Sequence, residues 1–70
     1  MTLGEKIREL RTERGWTLED LAQRTGKRMV TIHRWEKDRQ FPRLVEFSRL
    51  AEAFEIPLGE LWSGVTARAS

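Results

Sequence analysis

Seven of the thirteen basic residues in this 70-residue chain fall between Arg24 and Arg43: Arg24, Lys27, Arg28, Arg34, Lys37, Arg39 and Arg43. Only Glu36 and Asp38 oppose them, so this stretch carries a net +5, against −1 for residues 1–23 and −2 for residues 44–70. The chemistry open to such a cluster is electrostatic. It attracts polyanions, and neutralised phosphates supply most of non-specific nucleic-acid affinity. A solvated charged face explains the same distribution equally well, so charge alone does not choose between them. Within the cluster, Arg34 adds a directional possibility, because a guanidinium can donate two bonds to O6 and N7 of guanine.

Catalytic chemistry has little to work with. There is one histidine, His33, and no cysteine. No phosphate-cradling glycine loop is present, and Glu9 with Glu13, or Glu52 with Glu55, read as solvated helix faces rather than acid–base pairs. A lone histidine is a poor metal ligand, so neither a metal site nor a cofactor is expected. No enzyme is expected either. RNA binding lacks an aromatic stacking platform, since the three tryptophans are needed for packing.

The elements that must position the basic cluster are helices. Thr2 and Glu5 have capping-box spacing, with Leu3, Ile7, Leu10 and Arg14 following at helical intervals until Gly15. Thr17 caps a second helix with Asp20 as its box partner, Leu18, Leu21 and Ala22 face inward, and Gly26 stops it in the left-handed conformation. The third helix, Met29–Lys37, turns Ile32 and Trp35 inward. Met29, His33 and Lys37 form a stripe on another face, beside the outward pair Val30 and Arg34. After Gln40-Phe41-Pro42, residues Leu44, Phe47, Leu50, Ala51 and Phe54 give an amphipathic fourth helix. Ile56 and Pro57 open a short last one through Leu58, Leu61 and Trp62. No strand alternation occurs. Two helices joined by a tight glycine-bearing turn, the second one basic, make a helix-turn-helix arrangement.

Seventy residues allow one domain, placed at residues 1–62, with residues 63–70 as a small, polar tail. A chain this short buries only about 60% of its unfolded surface, leaving no room for a deep substrate pocket beside the core. The apolar runs are too short to span a bilayer, and the N-terminus has no secretion-signal pattern.

The stretch Gly15-Trp16-Thr17-Leu18-Glu19-Asp20-Leu21-Ala22, then Thr25-Gly26, Thr31-Ile32-His33-Arg34-Trp35-Glu36, Pro42 and Leu44 resembles the Cro/cI (Xre-like) helix-turn-helix family of phage and bacterial transcriptional regulators. The resemblance runs from about Leu3 to Leu61. It implies an all-α, five-helix, lambda-repressor-like domain whose third helix reads duplex DNA in the major groove. It also implies a buried ion pair between Arg11 and Glu36. The family pattern presents Arg28, Met29, Val30, His33 and Arg34 to the bases, and the same positions are those that the Ile32–Trp35 core face does not need. Met29 and Val30 are unusual there, and can read thymine methyl groups. Phosphate contacts are expected from Thr17 with the free amides opening the second helix, and from Lys37, Arg39, Gln40 and Arg43.

Three positions depart from the pattern. Leu18 stands where the family often has a backbone-contacting glutamine. Lys27 and Arg28 occupy the stretch of a small capping residue, and Asp38 replaces a common glycine; aspartate tolerates the left-handed conformation better than most residues. The partner implied is double-stranded DNA, as a palindromic operator, in the bacterial cytoplasm on the nucleoid. Leu58, Trp62 and Val65 can form a homodimer seam or cover the domain's own core. The competing reading is a protein-interaction module, an antitoxin or adaptor, with Leu18, Met29 and Val30 seeding its apolar patch.

Overall fold

The helices follow the expected order, and the first two begin and end where local chemistry requires it. In the computed structural model, which describes residues 1–65, they are α1 (Leu3–Glu13), α2 (Leu18–Thr25), α3 (Met29–Glu36), α4 (Leu44–Phe54) and α5 (Leu58–Leu61). The Thr2 hydroxyl accepts the Glu5 amide at 3.1 Å, and the Glu5 carboxylate accepts the Thr2 amide at 2.8 Å. Thr17 and Asp20 repeat this reciprocal box at 3.0 and 2.8 Å. Each such cap stabilises its helix by about 1 kcal/mol. Beyond α1 and α2, Gly15 (φ +71°) and Gly26 (φ +74°) take the left-handed turn that a side chain resists.

The core draws on every helix: Leu3, Ile7 and Leu10 from α1, Leu21 and Ala22 from α2, Ile32 and Trp35 from α3, Phe47, Leu50, Ala51 and Phe54 from α4, and Leu61 from α5. α3 is held between α1 and α2, while α4 closes over α2 and carries α5. Leu44 departs from the expected pattern. It is 75% exposed, because it is the first residue of α4 and projects beyond the core one turn before Phe47.

Polar ties fix α3 against the rest. Arg11 Nε and Nη2 donate to the two carboxylate oxygens of Glu36 at 2.7 and 3.1 Å, and Nη1 donates to the Trp16 carbonyl at 2.8 Å. Just past α3, Asp38 sits at φ +58°. Its carboxylate accepts the Gly4 amide at 2.9 Å and the Thr2 hydroxyl at 2.6 Å, so it closes the open N-terminal turn of α1. Gly4 permits this approach. A Cβ there would fall 2.5 Å from the carbonyl oxygens of Trp35 and Glu36.

Lys27, in the turn between α2 and α3, forms an ion pair with Glu46 of α4. Glu46 also accepts the Arg43 amide at 2.8 Å. The Lys27 hydrogen bond, then that amide, hold the Glu46 carboxyl below its ordinary value of 4.5.

Two outcomes follow from these ties. Arg11→Ala leaves the Glu36 carboxylate buried and unpaired, and should cost about 3–5 kcal/mol in urea denaturation. For Glu46, a folded-state pKa below the unfolded one gives stability that is complete above the unfolded value and is lost as pH falls through the folded one. Thermal melts below about pH 5 should therefore show a steeper decline for the wild-type chain than for Glu46→Gln.

Candidate nucleic-acid interface

α3 has a committed inner side. Ile32, Trp35 and Glu36 are buried, whereas Arg28, Met29, Val30, His33 and Arg34 are exposed, as is Lys37 at its C-terminal cap. Arg28 is the N-cap residue and supplies no side-chain cap. The amides of Met29 and Val30 therefore remain open at the leading end of the helix, with no protein acceptor among the described residues. No acidic residue occupies this first turn.

The charges of the basic stretch are sorted by the fold. Both of its acids turn away from the surface, Glu36 to Arg11 and Asp38 to the start of α1. Two of its seven cations also have local partners. Lys27 is paired with Glu46, and the Arg24 guanidinium lies 4.1 Å from the centroid of the Trp16 ring. The other five, Arg28, Arg34, Lys37, Arg39 and Arg43, are exposed and make no ion pair among the described residues. The five open cations thus carry the whole net +5 of the stretch, with both of its acids turned inward.

Backbone bonds set where these cations sit. The Lys37 amide donates to the His33 carbonyl and the Arg39 amide to the Arg34 carbonyl, wrapping residues 37–39 around the end of α3. At the other end, Glu46 gathers Lys27 and the backbone of Arg43, bringing the residue next to Arg28 and the start of α4 to one carboxylate. Gln40 is exposed in the connection.

On α2, the Thr17 amide and hydroxyl oxygen are both engaged with Asp20. What this turn has left to offer an anion is the amides of Leu18 and Glu19. The Thr17 amide and hydroxyl hold the Asp20 carboxyl below its ordinary range, which keeps a negative charge in that turn. Leu18 is half-buried against the core, so the position of the usual glutamine is taken up by packing.

Several site features were not visible in the linear sequence. Arg49 is exposed on α4 and its guanidinium comes near the Gly26 turn. With Lys27, Arg43, Leu44, Val45 and Glu46 it lines a shallow surface depression of about 480 Å³. Phe41 and Val45 are exposed apolar residues beside Leu44. The spacing of Glu46 and Arg49, one turn apart, is the only local sign of this grouping.

The two possibilities for Leu58, Trp62 and Val65 are divided by the structure. Val65 is half-buried and packs against the core. Leu58 is exposed, and Trp62 is half exposed with its ring centroid 4.9 Å from that of Phe47. Of the expected tail, residues 63–65 are described, with the Met1 amino group donating to the Gly64 carbonyl; residues 66–70 lie outside the described part. No helix among the described residues is long and apolar enough to cross a membrane.

Comparison with known proteins gives consistent relationships. A family model described as a helix-turn-helix domain matches residues 4–66. The HTH-type transcriptional activator BcrR of Enterococcus faecalis is 30% identical over 64 residues; the match takes in 91% of this chain but 31% of that protein, so the chain spans about a third of its length. The restriction-modification controller protein C.AhdI of Aeromonas hydrophila is 34% identical, with a TM-score of 0.81 over 84% of this chain and 89% of that one. The DNA-binding domain of the P22 C2 repressor, 23% identical, shares the fold with a TM-score of 0.86 over 100% of this chain and 92% of its own. SinR, solved in complex with DNA and 21% identical, shares it with a TM-score of 0.79 over 86% and 97%. The five helices, the α2–turn–α3 unit and these relationships agree: the chain belongs to the helix-turn-helix family of Cro/cI-like (Xre-like) regulators.

Proposed function

We propose that this domain binds duplex DNA sequence-specifically as a transcriptional regulator, with α3 in the major groove. One observation carries the reading. The fold turns both acids of the basic segment inward and leaves Arg28, Arg34, Lys37, Arg39 and Arg43 open. A segregation of that kind is what a phosphate backbone selects. The roles of the relatives support it, since one is a transcriptional activator, one a restriction-modification controller, and SinR was solved with DNA.

Arg28, Met29, Val30, His33 and Arg34 then face base edges. Arg34 is the leading candidate for guanine, through its paired donors. Lys37, Arg39, Gln40 and Arg43, with Thr17 opposite, hold phosphates and fix register without reading sequence. Binding chemistry of this kind calls for no catalytic group, metal or cofactor.

The outward-facing Leu58 and Trp62 support self-pairing through α5, with Val65 serving mainly the domain's own core. A pair related by two-fold symmetry would read a palindromic operator with half-sites about 10 base pairs apart, centre to centre. Its place of action is then the bacterial nucleoid.

Two variants separate reading from positioning. Arg34→Ala should lose discrimination at one base pair by about 1–3 kcal/mol, measured by competition among single-base operator variants. Arg39→Ala should weaken every duplex alike and lower the slope of log K against log salt by about one unit. If selection from a randomised duplex pool finds no motif, and Arg34→Ala acts no differently from Arg39→Ala, the domain is a protein-interaction module on this fold instead.

A further inference from the structure

The leading turn of α3 is apolar where it faces outward. Met29 is 48% exposed and Val30 44%, although Ile32 and Trp35 on the same helix are fully withdrawn into the core. Nothing in the domain's own packing calls on the two. They stand next to Arg28, and Val30 lies one helical turn from Arg34, on the same outward side. Exposed apolar surface gains free energy when it is covered. In the major groove the base edges display one apolar group, the methyl on carbon 5 of a pyrimidine. Thymine carries it and uracil does not; 5-methylcytosine carries it and cytosine does not.

We propose that Met29 and Val30 make α3 a reader of pyrimidine 5-methyl groups, so that the domain separates thymine from uracil, and 5-methylcytosine from cytosine, beneath these two residues. The inference rests on the placement of α3 in the major groove and adds the chemical class that its apolar tip takes. The donors of Arg28, His33 and Arg34 are directed by the polar base edges, whereas Met29 and Val30 offer no side-chain donor and gain by covering apolar surface. Because Val30 and Arg34 are one turn apart, a 5-methylpyrimidine followed by guanine matches both. A carbon-5-methylated CG step presents the same methyl and the same guanine edge as a TG step. Occupancy of sites bearing CG there should therefore rise on cytosine methylation.

The test begins with a site selected from a randomised duplex pool. That site is resynthesised with uracil replacing thymine at one position at a time, and affinity is read by fluorescence anisotropy at fixed salt. Loss of one covered methyl should weaken binding about fourfold, at one or two positions per half-site. Met29→Ala and Val30→Ala, each with its fold checked by a thermal melt, should remove the loss at the position that the residue covers, while Arg34→Ala keeps it. Cytosine at the same position should bind more tightly once 5-methylated. Wild-type protein that selects a defined site yet tolerates uracil at every position overturns the inference and leaves the major-groove reading standing. A loss that persists unchanged in both alanine variants also overturns it. A pool that yields no motif overturns the major-groove reading, and this inference with it.

Discussion

The Arg11–Glu36 pair fixes how α3 is presented. A buried carboxylate without a partner is costly, and a guanidinium that meets both carboxylate oxygens leaves little rotational freedom. Because the Arg11 guanidinium also donates to the Trp16 carbonyl, one side chain joins α1, the entry to α2 and the last turn of α3. Asp38 adds a second tie, from the end of α3 to the start of α1, and Gly4 lets the backbones approach closely enough for it. With the end of α3 pinned in this way, Ile32 and Trp35 face the core, and Arg28, Val30, His33 and Arg34 face outward. The same bonds remove two negative charges from the neighbourhood of the proposed reading surface.

A second group of cations packs on the aromatic rings at the entry to α2 and the end of α4. Arg14 donates to the carbonyls of Leu10 and Phe54, and its guanidinium also lies by the Phe54 ring. Trp16 stacks on Phe54 with centroids 5.8 Å apart, and the Arg24 guanidinium lies over the Trp16 ring. In a chain too short for a deep core, such cation–aromatic contacts add to packing. Basic residues here thus divide into structural and open sets. The segregation of those sets, rather than the modest net charge of +2, gives the surface its sign.

Much of this was legible in the sequence wherever the determinant is local. Thr2 with Glu5, Thr17 with Asp20, Gly15 and Gly26 act within a few residues of themselves, and the helix limits follow from them. Periodicity gave the inward turn of Ile32 and Trp35, and by elimination the exposed side of α3. The Gly4–Asp38 contact could not be read in this way, because its partners lie 34 residues apart. The Lys27–Glu46 tie also joins positions on separate helices and turns, so which cations are partnered and which stay open was hidden. Leu44 shows the limit of periodicity: the spacing was right, but the residue falls outside the end of the core.

The outward side of α3, held in place from behind by Glu36 and Asp38, is the face proposed to meet DNA. Amide shift mapping on the isotope-labelled chain, titrated with a selected duplex, tests it most directly. The largest changes are expected over residues 28–34, with a second group over residues 37–43 and small changes along the inner face of α1. Changes gathered on Leu58 and Trp62, with residues 28–34 unmoved at saturation, would contradict it.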